Sequence, residues 1–312
     1  MLLNLKKIKN MDKKYIGTIL VCFAASLWGF DAIVLTPRLY HLKVPFVVFT
    51  VHCLPFIVMS LFIGKREMKN IAALPKKDIM FYFLVALFGG CIGTLSIVKS
   101  LFLVNFQHLT VVTLLQKAQP IFALLLARII LKEKLGKNFL NWVIFALIGG
   151  YIMTFEFTLP RVAEVSSSNV FKATLYALLA AFSFGSATVF GKRILSHSSF
   201  VTALYTRYFF TTVITFCIVL TNNQLGQIFQ VTPFEMMIFC IIGITSGSGA
   251  ILLYYRGLRY IDASVATICE LSFPISSVVF DYVFNGHLLT PIQFMGAAAL
   301  VFAILKISKN QK

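Results

Sequence analysis

The sequence predicts an all-α membrane protein with ten transmembrane helices, arranged as two inverted five-helix repeats with both termini cytoplasmic. Three observations predict it: ten apolar runs of spanning length, basic residues gathered on one side of them, and a five-helix pattern that occurs twice. Of the 312 residues 59% are hydrophobic and only 12% charged, too little polar surface to face water around one core. Lipid is the solvent for most of this chain.

A hydrocarbon core of roughly 30 Å takes about 20 apolar residues per helix. The first run, 15–36, follows a basic start (Lys6, Lys7, Lys9, Lys13, Lys14) and is too long for the apolar part of a secretory signal, so it reads as a retained helix. Runs two and three, 45–63 and 79–103, are separated by Lys65, Arg66, Lys69, Lys76 and Lys77. Runs four and five, 110–131 and 139–155, are separated by Lys132, Lys134 and Lys137, with Arg128 just before them. The sixth, 171–190, ends at Lys192 and Arg193, and the seventh covers 200–220. The eighth, 234–255, ends at Arg256 and Arg259; the ninth covers 264–284; the tenth, 291–305, ends at Lys306, Lys309 and Lys312. All these cations fall on one side, against Arg38, Lys43, Arg161 and Lys172 opposite. Lys and Arg in short loops stay cytoplasmic, which places both termini inside and requires an even number of spans.

Shifted by 154 residues, the chain lays Thr113 on Thr267, Gln116 on Glu270, Pro120 on Pro274, Gly89 on Gly243 and Gly93 on Gly247. A shift of 156 lays Ala24-Ala25-Ser26-Leu27-Trp28-Gly29 on Ala180-Ala181-Phe182-Ser183-Phe184-Gly185. Apolar segments resemble one another by chance, but here Pro and Gly coincide as well. Five is odd, so the second copy enters from the opposite side, the arrangement many secondary transporters use to face each side in turn. The halves are 1–156 and 171–312, joined by a link at 157–170 that contains Ser166-Ser167-Ser168-Asn169.

Trp28-Gly29 late in the first helix, Pro120 in the fourth, Glu133-Lys134-Leu135 before the fifth, and Gly296-Ala297-Ala298-Ala299 in the last are the residues of a family resemblance. In these the chain resembles the EamA-type branch of the drug/metabolite transporter superfamily along nearly its whole length. The resemblance implies an Arg early in the second and seventh helices; Arg207 matches, while the second helix offers His52. The acidic residue of the turn before the fifth helix is Glu133, replaced by His287 in the second half.

In the ninth helix Thr267, Glu270, Pro274, Ser277 and Asp281 recur at three- and four-residue steps and share a face, repeated in the fourth as Thr113, Gln116, Pro120, Ala123 and Ala127. A proline inside a helix leaves the carbonyl four residues earlier without its donor, so Pro120 and Pro274 are expected to kink their helices and free the carbonyls of Gln116 and Glu270. Such rungs suit solute binding; the plainer alternative is a kink satisfied by neighbouring helices. Charges at membrane depth cost about 2.5–3.5 kcal/mol each and seek partners. Matching depths pair Asp31 with Lys117 and Arg207 with Glu270, as gates or proton-coupling sites or else as permanent bridges. Trp28 and Tyr254, with Tyr205, Tyr208 and Tyr255, are aromatic groups able to line the pocket, although most aromatic residues in such a chain serve packing. Lys99 reads as snorkelling and His52 as a packing residue.

The net charge of +17 lies in clusters between spans, a topology signal, so no nucleic-acid partner is expected. The six cysteines lie inside apolar runs without CxxC spacing, which argues against disulfides and a metal site. Gly185 to Lys192 has the wrong glycine spacing for a phosphate loop, and HExxH and GxSxG do not occur, so neither an enzyme nor a cofactor is predicted.

The reading is a secondary transporter that moves a small organic solute, an amino acid or related metabolite, across the cytoplasmic membrane of a bacterium by alternating access. The resemblance implies a central cavity lined by helices one, three, four, six, eight and nine. With no ATP site, the energy comes from a gradient, leaving proton coupling and facilitated movement open; the partners are the solute, the bilayer and protons. Two rival readings are a drug or amphiphile exporter of the same fold and a non-transporting membrane scaffold.

Overall fold

The computed structural model describes residues 2–104, 115–116, 118–136, 138–155, 157, 168–286 and 290–309. In chain order its apolar helices are α1 (Lys13–Leu39), α2 (Val44–Ala72), α3 (Lys76–Leu103), α4 (Gln119–Leu131), α5 (Phe139–Met153), α6 (Phe171–Leu195), α7 (Phe200–Thr221), α8 (Pro233–Leu258), α9 (Ala263–Asn285) and α10 (Pro291–Lys309). Eight are long and apolar enough to cross a membrane, and α4 and α5 are shorter apolar helices. Helices suit these runs because every backbone donor and acceptor in hydrocarbon must be satisfied within its own segment. Small and large residues sit on different faces of several helices: Ala24, Ala25, Ala180 and Ala181 are fully buried, while Phe62 and Leu61 stand 83% and 78% exposed. An outer surface so apolar belongs against acyl chains.

The two halves pack as mates. α1 lies along α8 and α9 as α6 lies along α3 and α4; α2 faces α7, and α5 faces α10. The close approaches repeat residue by residue. A Cβ on Gly29 would meet the Phe273 carbonyl at 2.9 Å and the Ser277 nitrogen at 3.0 Å; one on Gly185 would meet the Gln119 carbonyl at 2.9 Å and the Ala123 nitrogen at 3.0 Å. Gly29 and Gly185 are repeat mates, and so are the atoms they touch, so the pseudo-symmetry of the sequence is also one of contact.

Several segments depart from plain α-helix. α3 and α8 carry π-helical turns at Ala86–Ile92 and Gly243–Gly247, which overlap under the 154-residue shift. α1 passes through a π-helical stretch at Asp31–Leu35 and a 3-10 turn at Thr36–Leu39. α9 is broken, not kinked. One helix ends at Cys269, another starts at Ser272, and Pro274 sits in the first turn of the second, where a missing N–H leaves no bond unmade. Pro120 takes the same place at the start of α4. The expected free carbonyl at Glu270 is therefore corrected: it accepts from the Phe273 N–H at 3.0 Å.

At one end of the bundle the halves are bound tightly. Thr18 of α1 bonds Ser308 of α10 at 2.7 Å, Gly17 abuts Gly257, and Thr202 of α7 donates to Glu67 of α2 at 2.8 Å. Glu133 accepts from the Ala263 N–H at 2.8 Å and the Ser264 N–H at 3.1 Å, capping α9 from the other half. Lys192 in turn donates to the carbonyls of Leu258 (2.9 Å) and Ile261 (2.7 Å) at the end of α8. This is the basic face, where α1 begins and its mate α6 ends, so the repeats run antiparallel. A cleft of about 620 Å³ opens there between Phe81, Lys132, Glu133, Arg193 and Asp262.

Candidate solute-binding site

Five helices bring one polar side chain or aromatic ring each to a common level. Glu270, at the break in α9, is the hub. Tyr254 of α8 donates its hydroxyl to Oε1 at 2.7 Å, Gln119 of α4 donates Nε2 to Oε2 at 2.5 Å, and the Thr188 hydroxyl of α6 lies 3.2 Å from Oε1 and 2.8 Å from the Tyr254 hydroxyl. Trp28 of α1 sets its ring 5.5 Å from that of Tyr254, held by an Nε1 bond to the Ser246 carbonyl at 2.9 Å. Ser246 lies in the π-helical turn of α8 and donates its own hydroxyl to Asp31 at 2.9 Å, where Thr36 supplies a second donor at 2.9 Å. Glu270 and Asp31 thus flank one aromatic pair, each held by neutral donors.

That arrangement corrects the predicted pairing of Arg207 with Glu270. Arg207 does not pair with Glu270; its Nη2 donates to the Gly89 carbonyl at 2.9 Å and its Nη1 to the Tyr255 hydroxyl at 3.3 Å. α7 donates to two carbonyls of the π-helical turn of α3: Arg207 binds Gly89, and Thr211, one turn on, reaches Ala86 at 3.3 Å. Asp31 is satisfied by Thr36 and Ser246, and its predicted partner Lys117 lies outside the described residues, as do Thr113 and His287. Gln116 is half-buried, but the residue at Glu270 is Gln119, one turn further along. Thr267 is 1% exposed and its hydroxyl has no partner among the described residues. Ser277 donates to the Phe273 carbonyl of its own helix at 2.9 Å, and Asp281 accepts from Asn285 at 2.6 Å. His52 is buried on the Val48 carbonyl (2.8 Å) against Tyr208, in keeping with a packing role, and Lys99 is exposed.

Sequence reasoning missed Gln119, Thr188 and Ser246. Gln119 had one signal, its place beside the repeated proline. Thr188 and Ser246 had none, since hydroxyl residues are common in these helices and their repeat mates, Ala32 and Ile92, are apolar.

Two interlocked antiparallel repeats enclosing a ring of polar and aromatic groups at mid-depth define a membrane carrier for small solutes. The chain belongs to the EamA-like transporter family, whose pattern matches residues 15–155 and again 171–309. It is 62% identical over 299 residues, 96% of this chain and 99% of the relative, to the Riboflavin transporter ImpX of Fusobacterium nucleatum subsp. nucleatum. It also matches a protein of known crystal structure at TM-score 0.66 and 15% identity, covering 92% of this chain and 95% of that one, a likeness of fold alone.

Proposed function

We propose that this protein carries riboflavin across the bacterial cytoplasmic membrane by alternating access. The observation that carries the reading is the 62% identity, end to end, with a riboflavin transporter. The site suits a flat heteroaromatic solute: Trp28 and Tyr254 offer ring faces, and Gln119, Glu270 and Asp31 surround them with polar groups. In this reading the ten helices form two halves, 1–156 and 171–312, joined by 157–170, with both termini and the basic face cytoplasmic, as the cation bias supports.

An amino acid is the second reading, favoured by two carboxylates able to receive an ammonium group. One assay separates them. In proteoliposomes preloaded with riboflavin, counterflow of labelled riboflavin is expected, and unlabelled amino acids in excess leave it unchanged. Counterflow with an amino acid and none with riboflavin would reverse the assignment. Glu270→Gln in the same vesicles addresses coupling: if a proton gradient drives wild-type uptake through Glu270, the variant exchanges riboflavin but no longer responds to the gradient. An unaltered response removes Glu270 from coupling.

A further inference from the structure

Glu270 can only accept hydrogen bonds as a carboxylate, so whatever faces it must turn a donor toward it. Gln119 therefore presents the NH2 end of its amide, as the bond from Nε2 to Oε2 records. That bond uses one of two amide protons. The amide oxygen faces away from Glu270; it has no partner among the described residues and is not one of the fully buried unpartnered atoms. Tyr254 and Thr188 occupy the other carboxylate oxygen, which fixes the carboxylate and, through it, the plane of the amide. Gln119 is thereby left with one N–H and its oxygen, both in the plane of the amide.

A donor beside an acceptor in one plane matches a ligand edge carrying an acceptor beside a donor, as when a glutamine amide reads the edge of a base. The pyrimidine ring of an isoalloxazine has such an edge: an imide N–H between two carbonyls. We propose that Gln119 reads the imide edge of a flavin, its oxygen accepting from the ring N3–H and its free amide proton donating to an adjacent ring carbonyl. Glu270 is the positioning residue that fixes which way the amide points, and Trp28 and Tyr254 cover the ring face. This rests on the riboflavin reading and adds how the ring is recognised. Gln119 is well placed for it, at the start of α4 beside the close approach of Gly185 to its own carbonyl, so its backbone is held by packing.

The test uses riboflavin counterflow in proteoliposomes with N3-methylriboflavin as competitor, which removes the imide proton and keeps the ring, the carbonyls and the ribityl chain. On the wild type the methylated compound is expected to compete about tenfold more weakly, the loss of one hydrogen bond. Gln119→Ala should bind riboflavin more weakly and treat the two compounds alike. Glu270→Gln should narrow the difference, because an amide at that position accepts either orientation of Gln119; a purely structural role would lower activity without moving the ratio. Wild-type competition by N3-methylriboflavin equal to that of riboflavin overturns the inference while riboflavin transport stands, and an unchanged ratio in Gln119→Ala does the same. Absence of riboflavin counterflow in the wild type overturns both.

Discussion

Trp28 is oriented by a single hydrogen bond, from its indole nitrogen to the Ser246 carbonyl, and by the ring of Tyr254. The carbonyl belongs to a π-helical turn, so the irregularity in α8 positions a side chain of α1. Stacking of this kind contributes about 1 kcal/mol beyond area burial, so Trp28→Ala should raise the half-saturating riboflavin concentration five- to tenfold, and Trp28→Phe should recover most of the loss. Concentration-dependent uptake measures it, and an unchanged value would place the solute elsewhere. At this scale the sequence was informative about kind and depth but not about partners. Glu270 and Asp31 were identifiable as charges out of place in hydrocarbon, and Trp28 and Tyr254 as aromatic groups able to line a pocket. Arg207 and Glu270 were matched by depth, yet rotation about two helix axes turns Arg207 to the Gly89 carbonyl of α3 and Glu270 to α4, α6 and α8.

Breaks in regular helix do the positioning at the scale of elements. α9 stops at Cys269 and restarts at Ser272, which leaves Glu270 in the gap. The repeated prolines marked this place in the sequence, but a kink and a break share one signature there, and only neighbouring packing distinguishes them. The start of α9 depends on Glu133 of the other half, which holds two backbone N–H groups and the Ser264 hydroxyl at 2.6 Å. Replacing this carboxylate with alanine removes a charge-assisted cap and should cost about 1–2 kcal/mol, seen as a lower melting temperature in detergent, with Glu133→Gln intermediate. An equal melting temperature in Glu133→Ala would mean that water caps α9 as well.

For the whole molecule, the alternating-access reading proposed above predicts that the inter-half bonds described at the basic face (Thr18 with Ser308, Thr202 with Glu67, Glu133 with the start of α9) part when a central solute leaves in that direction. Thr267, buried one turn before Glu270, reports on that event. A Thr267→Cys variant should react slowly with a membrane-impermeant maleimide from either side, and several-fold faster from the basic side once Glu133→Ala loosens the closure. A rate indifferent to Glu133 would show that the halves do not part there.

The sequence by itself determined that this protein lives in lipid, that its helices come in two copies, and where polar groups sit along each span. Those properties follow from composition and order, which a linear chain carries explicitly. Tertiary structure alone decided which side chains meet: Gln119 and not Gln116 at Glu270, the Gly89 carbonyl and the Tyr255 hydroxyl and not a carboxylate at Arg207, a cap on α9 supplied from the other half. These depend on the rotation and sliding of packed helices, set by close approaches such as Gly29 on α9 and Gly185 on α4, which no single stretch of sequence contains.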